Sequence, residues 1–371
     1  MNALVLARPL LLGILAVLTI PALAERQELE PSVAMKQAAG PDVQQALSTL
    51  DGLERLADPK ALAEVAGKMA ADPAMTPAGR DRLLTDAARR LGSMPDSAAS
   101  RQFLEGLAIR KSEVWIPVEE TGGLVHIPLY DAGAQARHTL KTLDIRAVAR
   151  DLTPRAARGE AGLAVEARAA APGSVFRQGL KQALLDARAT AAGSAGPASI
   201  SHSLAALLPQ DPSLGTLALT ARDPADRDVL AGVLDLGDTA SGLAALPLTR
   251  SLPSPEARPL LEIAARRGDI ASAAVLEAGR RWPEDPDTGR WLETLLGDPG
   301  VGASAASALA RYGDEALVTR LADRLRGEAD ERTARHLVLY LRLADSAQAR
   351  EAINRLREDP AVSAAVRGEL R

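Results

Sequence analysis

Residues 237–241 read Gly-Asp-Thr-Ala-Ser, and residues 268–272 read Gly-Asp-Ile-Ala-Ser, a step of 31 residues. An acidic turn followed by an alanine-rich stretch recurs on both sides of this pair, in steps of about 30 residues. The acidic residues of the series are Asp211, Asp238, Asp269, Asp298, Glu328 and Asp359. A constant period of this length is typical of stacked supersecondary units, each too small to bury its own apolar face.

Apolar spacing on either side of the acidic turns predicts pairs of helices. The pairs are 260–267 with 271–281, 292–296 with 303–312, 321–325 with 333–343, and 353–356 with 363–370. The predicted fold is therefore all-α, a right-handed α-solenoid of helix pairs with one inserted β-hairpin. We expect Asp238 and Asp269 to be equivalent caps, each accepting amide hydrogen bonds at the start of its second helix.

These units resemble short HEAT-like repeats, in which a first helix ends at an acidic turn and an alanine-rich helix follows. The resemblance spans residues 203–371 and rests on two stretches. They are Leu-Leu-Gly-Asp-Pro at 295–299 before Ala305, Ala308 and Leu309, and Leu-Arg-Glu-Asp-Pro at 356–360 before Ala364 and Val366. Arg-Arg-Gly-Asp at 266–269, with Pro283, is also similar to a tetratricopeptide unit. Either family implies a helical solenoid that recognises partners, and neither implies an activity.

The first 24 residues have the pattern of a secretory signal peptide. Arg8 is their only charge, residues 10–20 are apolar, and Pro-Ala-Leu-Ala at 21–24 supplies the small residues that a signal peptidase accepts before Glu25. An apolar core of this length is too short to span a bilayer, so no membrane span is expected in the mature chain. The sequence predicts a periplasmic or secreted protein. Because it has no cysteine, lipid attachment and a disulfide framework are both excluded.

Charge and motif composition argue against several classes of function. The chain has 44 basic and 48 acidic residues that alternate along most segments, which is not the pattern of a nucleic-acid-binding face. Asp-Thr-Gly at 287–289 occurs once and in a turn, so we interpret this aspartic-protease triad as chance. The four histidines, at 126, 138, 202 and 336, are not at the spacing of a helical metal site. The sequence predicts no cofactor and no metal.

Residues 113–130 differ from the rest of the chain because they contain two β-prone runs around Thr-Gly-Gly at 121–123. A two-residue loop at 121–122 pairs Val118 with Val125, Ile116 with Ile127 and Val114 with Leu129, so that one face is aliphatic. The other face then carries Trp115, Pro117, His126, Pro128 and Tyr130. Aromatic residues are rare in this chain, and exposed aromatics are favourable contact residues. Trp115, His126 and Tyr130 are therefore the predicted partner-binding residues.

The sequence divides into six predicted segments. They are a signal peptide at 1–24, an N-terminal helical region at 25–112, the β-hairpin at 113–130, helical repeats at 131–191, a linker rich in alanine, glycine and serine at 192–199, and a HEAT-like array at 200–371. The predicted function is an exported scaffold or adaptor for a protein or peptide partner, without enzymatic activity. The alternative is an envelope enzyme or enzyme accessory factor that uses His126, His138 and Glu119 or Glu120 near the hairpin.

Overall fold

The computed structural model describes residues 26–190, 195–224, 226–312 and 315–370, and these are mostly helical with one small sheet. The predicted all-α class is therefore confirmed. The predicted signal peptide and its cleavage site lie outside the described residues. The chain forms two compact units, one ending at Ile145 and the other beginning at Arg146. Each unit is described by itself below.

From residue 26 onward, the first unit contains five helices, and a sixth continues from it into the second unit. They are α1 (Pro31–Ala38), α2 (Pro41–Arg55), α3 (Pro59–Ala70), α4 (Pro77–Leu91), α5 (Ala98–Ala108) and α6 (Ala132–Ala157). Helices α2 to α4 begin with a proline, and α3 to α5 begin at a capping side chain. The side chains of Asp58 and Thr76 accept backbone amides at the starts of α3 and α4. Ser97 and Ser100 form a reciprocal capping box at the start of α5.

A three-stranded sheet is inserted among these helices, in the order β1 (Gln27–Glu28), β2 (Val114–Glu120) and β3 (Gly123–Pro128). The hairpin of β2 and β3 has the predicted register, with Ile116 opposite Ile127 and Val118 opposite Val125. Its two-residue turn places Gly122 at a φ of 118°, which a residue with a Cβ rarely adopts. Strand β1 pairs with β2 in parallel and was not predicted.

The second unit is built from short helices joined by tight turns. They are α7 (Gly162–Ala169), α8 (Val175–Thr190), α9 (Gly196–Ala205), α10 (Gly215–Ala221), α11 (Arg227–Leu236), α12 (Thr239–Ala245), α13 (Ser254–Ala264), α14 (Ala271–Arg281), α15 (Pro286–Leu295), α16 (Gly302–Leu309), α17 (Glu315–Gly327), α18 (Glu331–Ala344), α19 (Ala347–Glu358) and α20 (Ala364–Glu369). Three 3₁₀ helices occupy Pro212–Leu214, Leu246–Ser251 and Ala310–Tyr312. The predicted linker at 192–199 includes the start of α9, while 191–194 lie outside the described residues.

Neighbouring helix pairs stack on one another in the order of the sequence. Among the second helices, α14 packs on α16 and α16 on α18, while α11 packs on α13 and α17 on α19 among the first helices. Small residues allow the close approach of α14 and α16, since a Cβ on Gly279 would lie 2.5 Å from the Cβ of Ala308. One apolar cluster runs from Leu152 to Trp282, and a second runs from Ala271 to Leu370. The core is thus assembled between sequence neighbours, as the repeat period predicts.

The acidic turns hold the repeats in a common geometry. Five of the six acidic side chains accept a backbone amide two or three residues further on. The pairs are Asp211 with Ser213, Asp238 with Ser241, Asp298 with Gly300, Glu328 with Asp330, and Asp359 with Ala361. Asp211 and Asp238 cap the helix that follows, whereas Asp298, Glu328 and Asp359 bind amides of the turn that precedes it. The caps of α18 and α20 are the side chains of Asp330 and Ser363.

Asp269 does not cap a helix, and the prediction that it is equivalent to Asp238 is wrong. Helix α14 begins after Ile270 without a side-chain cap. The Asp269 carboxylate instead accepts from the Arg267 guanidinium and, at 2.7 Å, from the hydroxyl of Thr239 in the preceding pair. These donors, Arg267 first, hold the pKa of Asp269 below its usual range. Two nearer donors thus replace the amides that Asp238 binds.

Side chains of one pair also satisfy backbone carbonyls at the end of the first helix in the pair before it. The Arg267 Nη1 donates to the carbonyls of Val233 and Leu234, at 3.2 and 3.0 Å. Two pairs later, the Nδ1 of His336 in α18 lies 2.7 Å from the carbonyl oxygen of Leu296 at the end of α15. The Val233 carbonyl also accepts the amide of Gly237 at 2.9 Å, so Arg267 adds a second donor there. These contacts bind successive pairs to each other at the ends of helices, where carbonyls lack helical partners.

Candidate functional site at the hairpin sheet

One face of the sheet carries two of the three predicted partner-binding residues, together with charged residues from β1. Trp115 and Glu28 are paired in the register of β1 and β2, and His126 is opposite Pro117 in the hairpin. The Arg26 guanidinium lies over the Trp115 ring, 4.4 Å from its centroid. The Nε2 of His126 lies 3.5 Å from an oxygen of Glu28. We call this surface the Trp115 face.

Trp115 and His126 are both half-buried on this face. The indole Nε1 of Trp115 donates to the Ser112 carbonyl at 3.2 Å, which fixes the orientation of the ring. The Arg26 guanidinium covers part of the ring that the strands leave open, an arrangement in which a cation is attracted to the aromatic face. The Trp115 face is therefore a surface of ordered side chains, because each ring has a partner within the sheet.

The opposite face of the sheet is bound to helices only at its base. Val114 is fully buried among Ala34, Ala38 and Ala78, and Ile116 packs against the same cluster. Ile127, which shares the predicted aliphatic face with Ile116, is not covered in this way, since it is 39% exposed. Because α1 is short, it covers the beginning of β2 and leaves the part of the hairpin near the turn uncovered.

Tyr130, the third predicted residue, lies beyond the end of β3. It is half-buried and packs against the cluster that contains Val114. Alternation along β3 placed it with Trp115 and His126, but the strand ends at Pro128. The structure therefore groups Trp115 with His126 and places Tyr130 with the core of the first unit.

Three neighbouring apolar residues of β3 are exposed. Leu124 is 64% exposed and Val125 is 42% exposed, and both lie within three residues of Ile127. Leu124 pairs with Glu119, so it belongs to the Trp115 face, while Val125 and Ile127 belong to the opposite face. The hairpin thus presents apolar side chains on both faces next to its turn, a composition typical of interaction surfaces.

A buried network of charged residues fixes the base of the hairpin. Asp81 in α4 is 1% exposed, and its Oδ2 accepts the backbone amides of Glu113 and Val114 at 2.7 and 3.1 Å. The Glu113 carboxylate accepts from Arg80 at 2.7 Å and also from Arg110. Two acids and two bases are therefore enclosed together, where each charge needs its partner.

Burial raises the pKa of the Asp81 carboxyl to about 6, an effect larger than the lowering by the two amides that it accepts. The nearby Glu113 carboxylate raises it further, and Arg110 lowers it. Raised carboxyl pKa values are common at catalytic sites, but Asp81 binds backbone amides and is enclosed by the helices of its unit. We interpret the network as an anchor that fixes the hairpin to α4.

The groups of the alternative enzymatic site are not assembled by the structure. His138 lies on an exposed part of α6, while Glu119 and Glu120 lie at the exposed end of β2. Between these side chains and His126, the described residues contain no hydrogen bond or ion pair. Within the same described ranges, no group of three or more histidine or acidic side chains could hold a metal ion.

Sequence reasoning missed both β1 and the buried network. A two-residue strand has no alternation to recognise, and its partner is far away along the chain. Asp81 is one of many acidic residues in helices, so nothing in its neighbourhood distinguishes it as buried. Glu113 was identified only as the boundary of the hairpin. Its position at a change from helical to β-prone sequence is the one signal that could have drawn attention to it.

The chain matches no protein-family model, no curated protein and no solved structure. Throughout the part of the chain that the structure describes, no helix combines the length and the apolar character needed to cross a bilayer.

Proposed function

We propose that this protein is an exported scaffold or adaptor that binds a protein or peptide partner in the cell envelope, in the periplasm or after secretion. In this proposal the helix pairs form a right-handed α-solenoid of the short HEAT-like or tetratricopeptide-like kind, and the protein acts without catalysis or a cofactor. Export is supported by the pattern of the first 24 residues. Binding is supported by the stacked repeats, an architecture that usually recognises partners.

The observation that carries the proposal is the exposed apolar surface of the hairpin. Val125 and Ile127 are exposed side by side on one face of β3, and Leu124 is exposed on the other face, which also carries the half-buried ring of Trp115. Neighbouring exposed apolar side chains are unfavourable in water and are retained where a partner covers them. The ring of Trp115 is already held by Ser112 and Arg26, so it loses little conformational entropy when a partner covers it.

The outer edge of β3 suits an extended peptide. Strand β3 is the last strand of the sheet, so within the described residues its outer backbone groups have no neighbouring strand. A peptide could pair with residues 123–127 and place alternate side chains beside those of the hairpin. Pro128 has no amide hydrogen, so pairing through amides would end there.

Site-specific cross-linking in cells tests this proposal. A photo-reactive amino acid at Leu124 is expected to form an adduct of defined mass with a partner polypeptide. The matched control is the same amino acid at Ile109, an apolar residue of the same unit that is 86% exposed but lies outside the sheet. Trp115→Ser should reduce the adduct from position 124. The proposal is wrong if position 124 yields no adduct beyond that seen from position 109.

A further inference from the structure

Three arginines of the second unit surround a single buried carboxylate. Glu277 in α14 is 4% exposed, and Arg250 donates to its two oxygens at 2.5 and 2.9 Å. Arg280, three residues after Glu277, donates to the second of these oxygens. Arg281 follows at the end of the same helix. The cluster therefore has three positive charges and one negative charge.

Arg281 is held in place by neutral groups. Its guanidinium donates to the carbonyls of Thr249 and Leu252, at 2.6 and 2.5 Å, and lies 4.7 Å from the ring centroid of Trp282. Among the described residues it forms no ion pair. Burial, followed by the positive charge of Arg250, lowers its pKa. The position of Arg281 is thus fixed, while its charge is not neutralised by a carboxylate.

Arg250, Glu277, Arg280 and Arg281 line a cleft of about 370 Å³, which we call the arginine cleft. The side chains of Arg250 and Arg280 are about half exposed, at 52% and 59%. Glu277 occupies Nε and one terminal nitrogen of Arg250 and one terminal nitrogen of Arg280. Each guanidinium presents five N–H donors, so several remain directed to solvent at the cleft.

We propose that the arginine cleft binds a carboxylate or phosphate group, either free in solution or attached to a polypeptide. Such an oxyanion accepts charge-assisted hydrogen bonds from Arg250 and Arg280 and reduces the repulsion between Arg250 and Arg281. Planar guanidinium groups match the paired oxygens of these anions. Glu277 has two functions in this site, since it positions both exposed arginines and competes with the ligand for their charge. The site lies in the second unit and does not depend on the function proposed for the hairpin.

Titration of the purified protein at low ionic strength tests the inference, with tetraglutamate and inorganic phosphate as separate probes. We expect at least one of them to bind, with an affinity that falls as sodium chloride is added. Binding of tetraglutamate alone identifies a polypeptide carboxylate as the ligand, and binding of phosphate alone identifies a phosphate group. If neither probe binds, the inference is wrong.

Two substitutions with opposite effects distinguish a binding site from a structural cluster. Arg280→Gln removes a donor and should weaken binding by about tenfold, whereas Glu277→Gln removes the competing carboxylate and should strengthen it by a similar factor. The control is Arg290→Gln, because Arg290 also pairs with an acidic residue three positions earlier and is 72% exposed. If the Glu277→Gln variant does not fold, the affinities of the Arg280→Gln and Arg290→Gln variants are compared and decide the question by themselves. Equal affinities for the Arg280 and Arg290 variants would overturn the proposal.

Discussion

The raised pKa of Asp81 has a consequence for stability. Its folded pKa of about 6 lies above the ordinary 3.8, so the folded protein binds this proton more tightly than the unfolded chain does. The contribution of Asp81 to stability is therefore largest below the ordinary pKa and is lost as the pH rises through 6. The ionised carboxyl is retained at neutral pH because two backbone amides of the hairpin bind it.

Asp81→Asn should remove this pH dependence. The unfolding free energy of the variant minus that of the wild type should increase by about 2 kcal/mol when the pH is raised from about 4.5 to about 7.5. Urea unfolding at both pH values measures the difference. Asp86→Asn in the same helix is the control, because arginine hydrogen bonds lower the pKa of Asp86 despite its burial. The contribution of Asp86 to the unfolding free energy therefore changes only at pH values below the ordinary 3.8. A constant difference between wild type and Asp81→Asn would refute the assignment.

The two aspartates of the repeated pentapeptide should differ in their effect on stability. Asp238→Ala removes a helix cap and should lower the unfolding free energy by about 0.5–2 kcal/mol. Asp269→Ala removes exposed contacts to Arg267 and Thr239 and should lower it by less than about 1 kcal/mol, since solvent screens such pairs. Chemical denaturation of both variants measures this. Equal losses would mean that Asp269 acts as a cap after all.

At the scale of single elements, β1 connects the start of the described chain to the hairpin. Leu29 donates to the Trp115 carbonyl at 3.0 Å, and its side chain packs against the cluster around Val114. The ladder ends there because the next donor of β2 would be Pro117, which has no amide hydrogen. The chain then turns into α1 at Pro31. This short ladder is what brings Arg26 over the ring of Trp115.

Leu29→Pro should loosen the hairpin by removing this hydrogen bond. We expect faster amide hydrogen exchange across residues 112–130, measured by mass spectrometry, because a strand that loses a neighbour opens more often. Leu29→Ala is the control, since it keeps the backbone donor and loses only the side chain. If both variants exchange equally fast, the side chain and not the strand pairing stabilises the hairpin.

The hairpin shows what sequence can and cannot predict about an element. Its register followed from alternation and from the turn at residues 121–122, and the structure confirms it. The exposure of Ile127 did not follow, because alternation predicts which side chains share a face but not how far the covering helix extends. The face predicted for Tyr130 was wrong for a related reason, because β3 ends at Pro128 and alternation no longer applies beyond it. The arginine cleft also escaped prediction, because Arg250 and Glu277 are 27 residues apart.

At the scale of the array, the stacking of α14 on α16 should depend on glycine at position 279. Gly279→Ala places a Cβ 2.5 Å from that of Ala308 and should lower stability by about 1–3 kcal/mol. Gly232→Ala in α11 is the control, because its nearest neighbour is 3.8 Å away. That variant should gain up to about 1 kcal/mol from the higher helix propensity of alanine. Thermal unfolding of both variants measures the sign of each change in stability. Stabilisation by Gly279→Ala would contradict the close packing of α14 on α16.

The repeat period predicted that residues 260–370 form helix pairs, because each pair is specified by local apolar spacing and by its own turn. The predicted helices at 271–281 and 333–343 correspond closely to α14 and α18, whereas α15, α17 and α19 begin several residues before the helices predicted for them. The division of the chain into two units was not evident in the same way, since its boundary falls within the long helix α6. Because α6 runs unbroken through residues 145 and 146, no turn in the sequence marks the change from one core to the next.

The contacts of Arg267 and His336 with backbone carbonyls make an earlier helix pair depend on a later one. In both cases the later pair satisfies the end of the first helix in the pair before it. Loss of Arg267 or of His336 therefore leaves the end of α11 or of α15 with a carbonyl that has lost a donor from the later pair. Damage to a pair that carries such a donor is thus transmitted backwards along the chain, to the pair that precedes it.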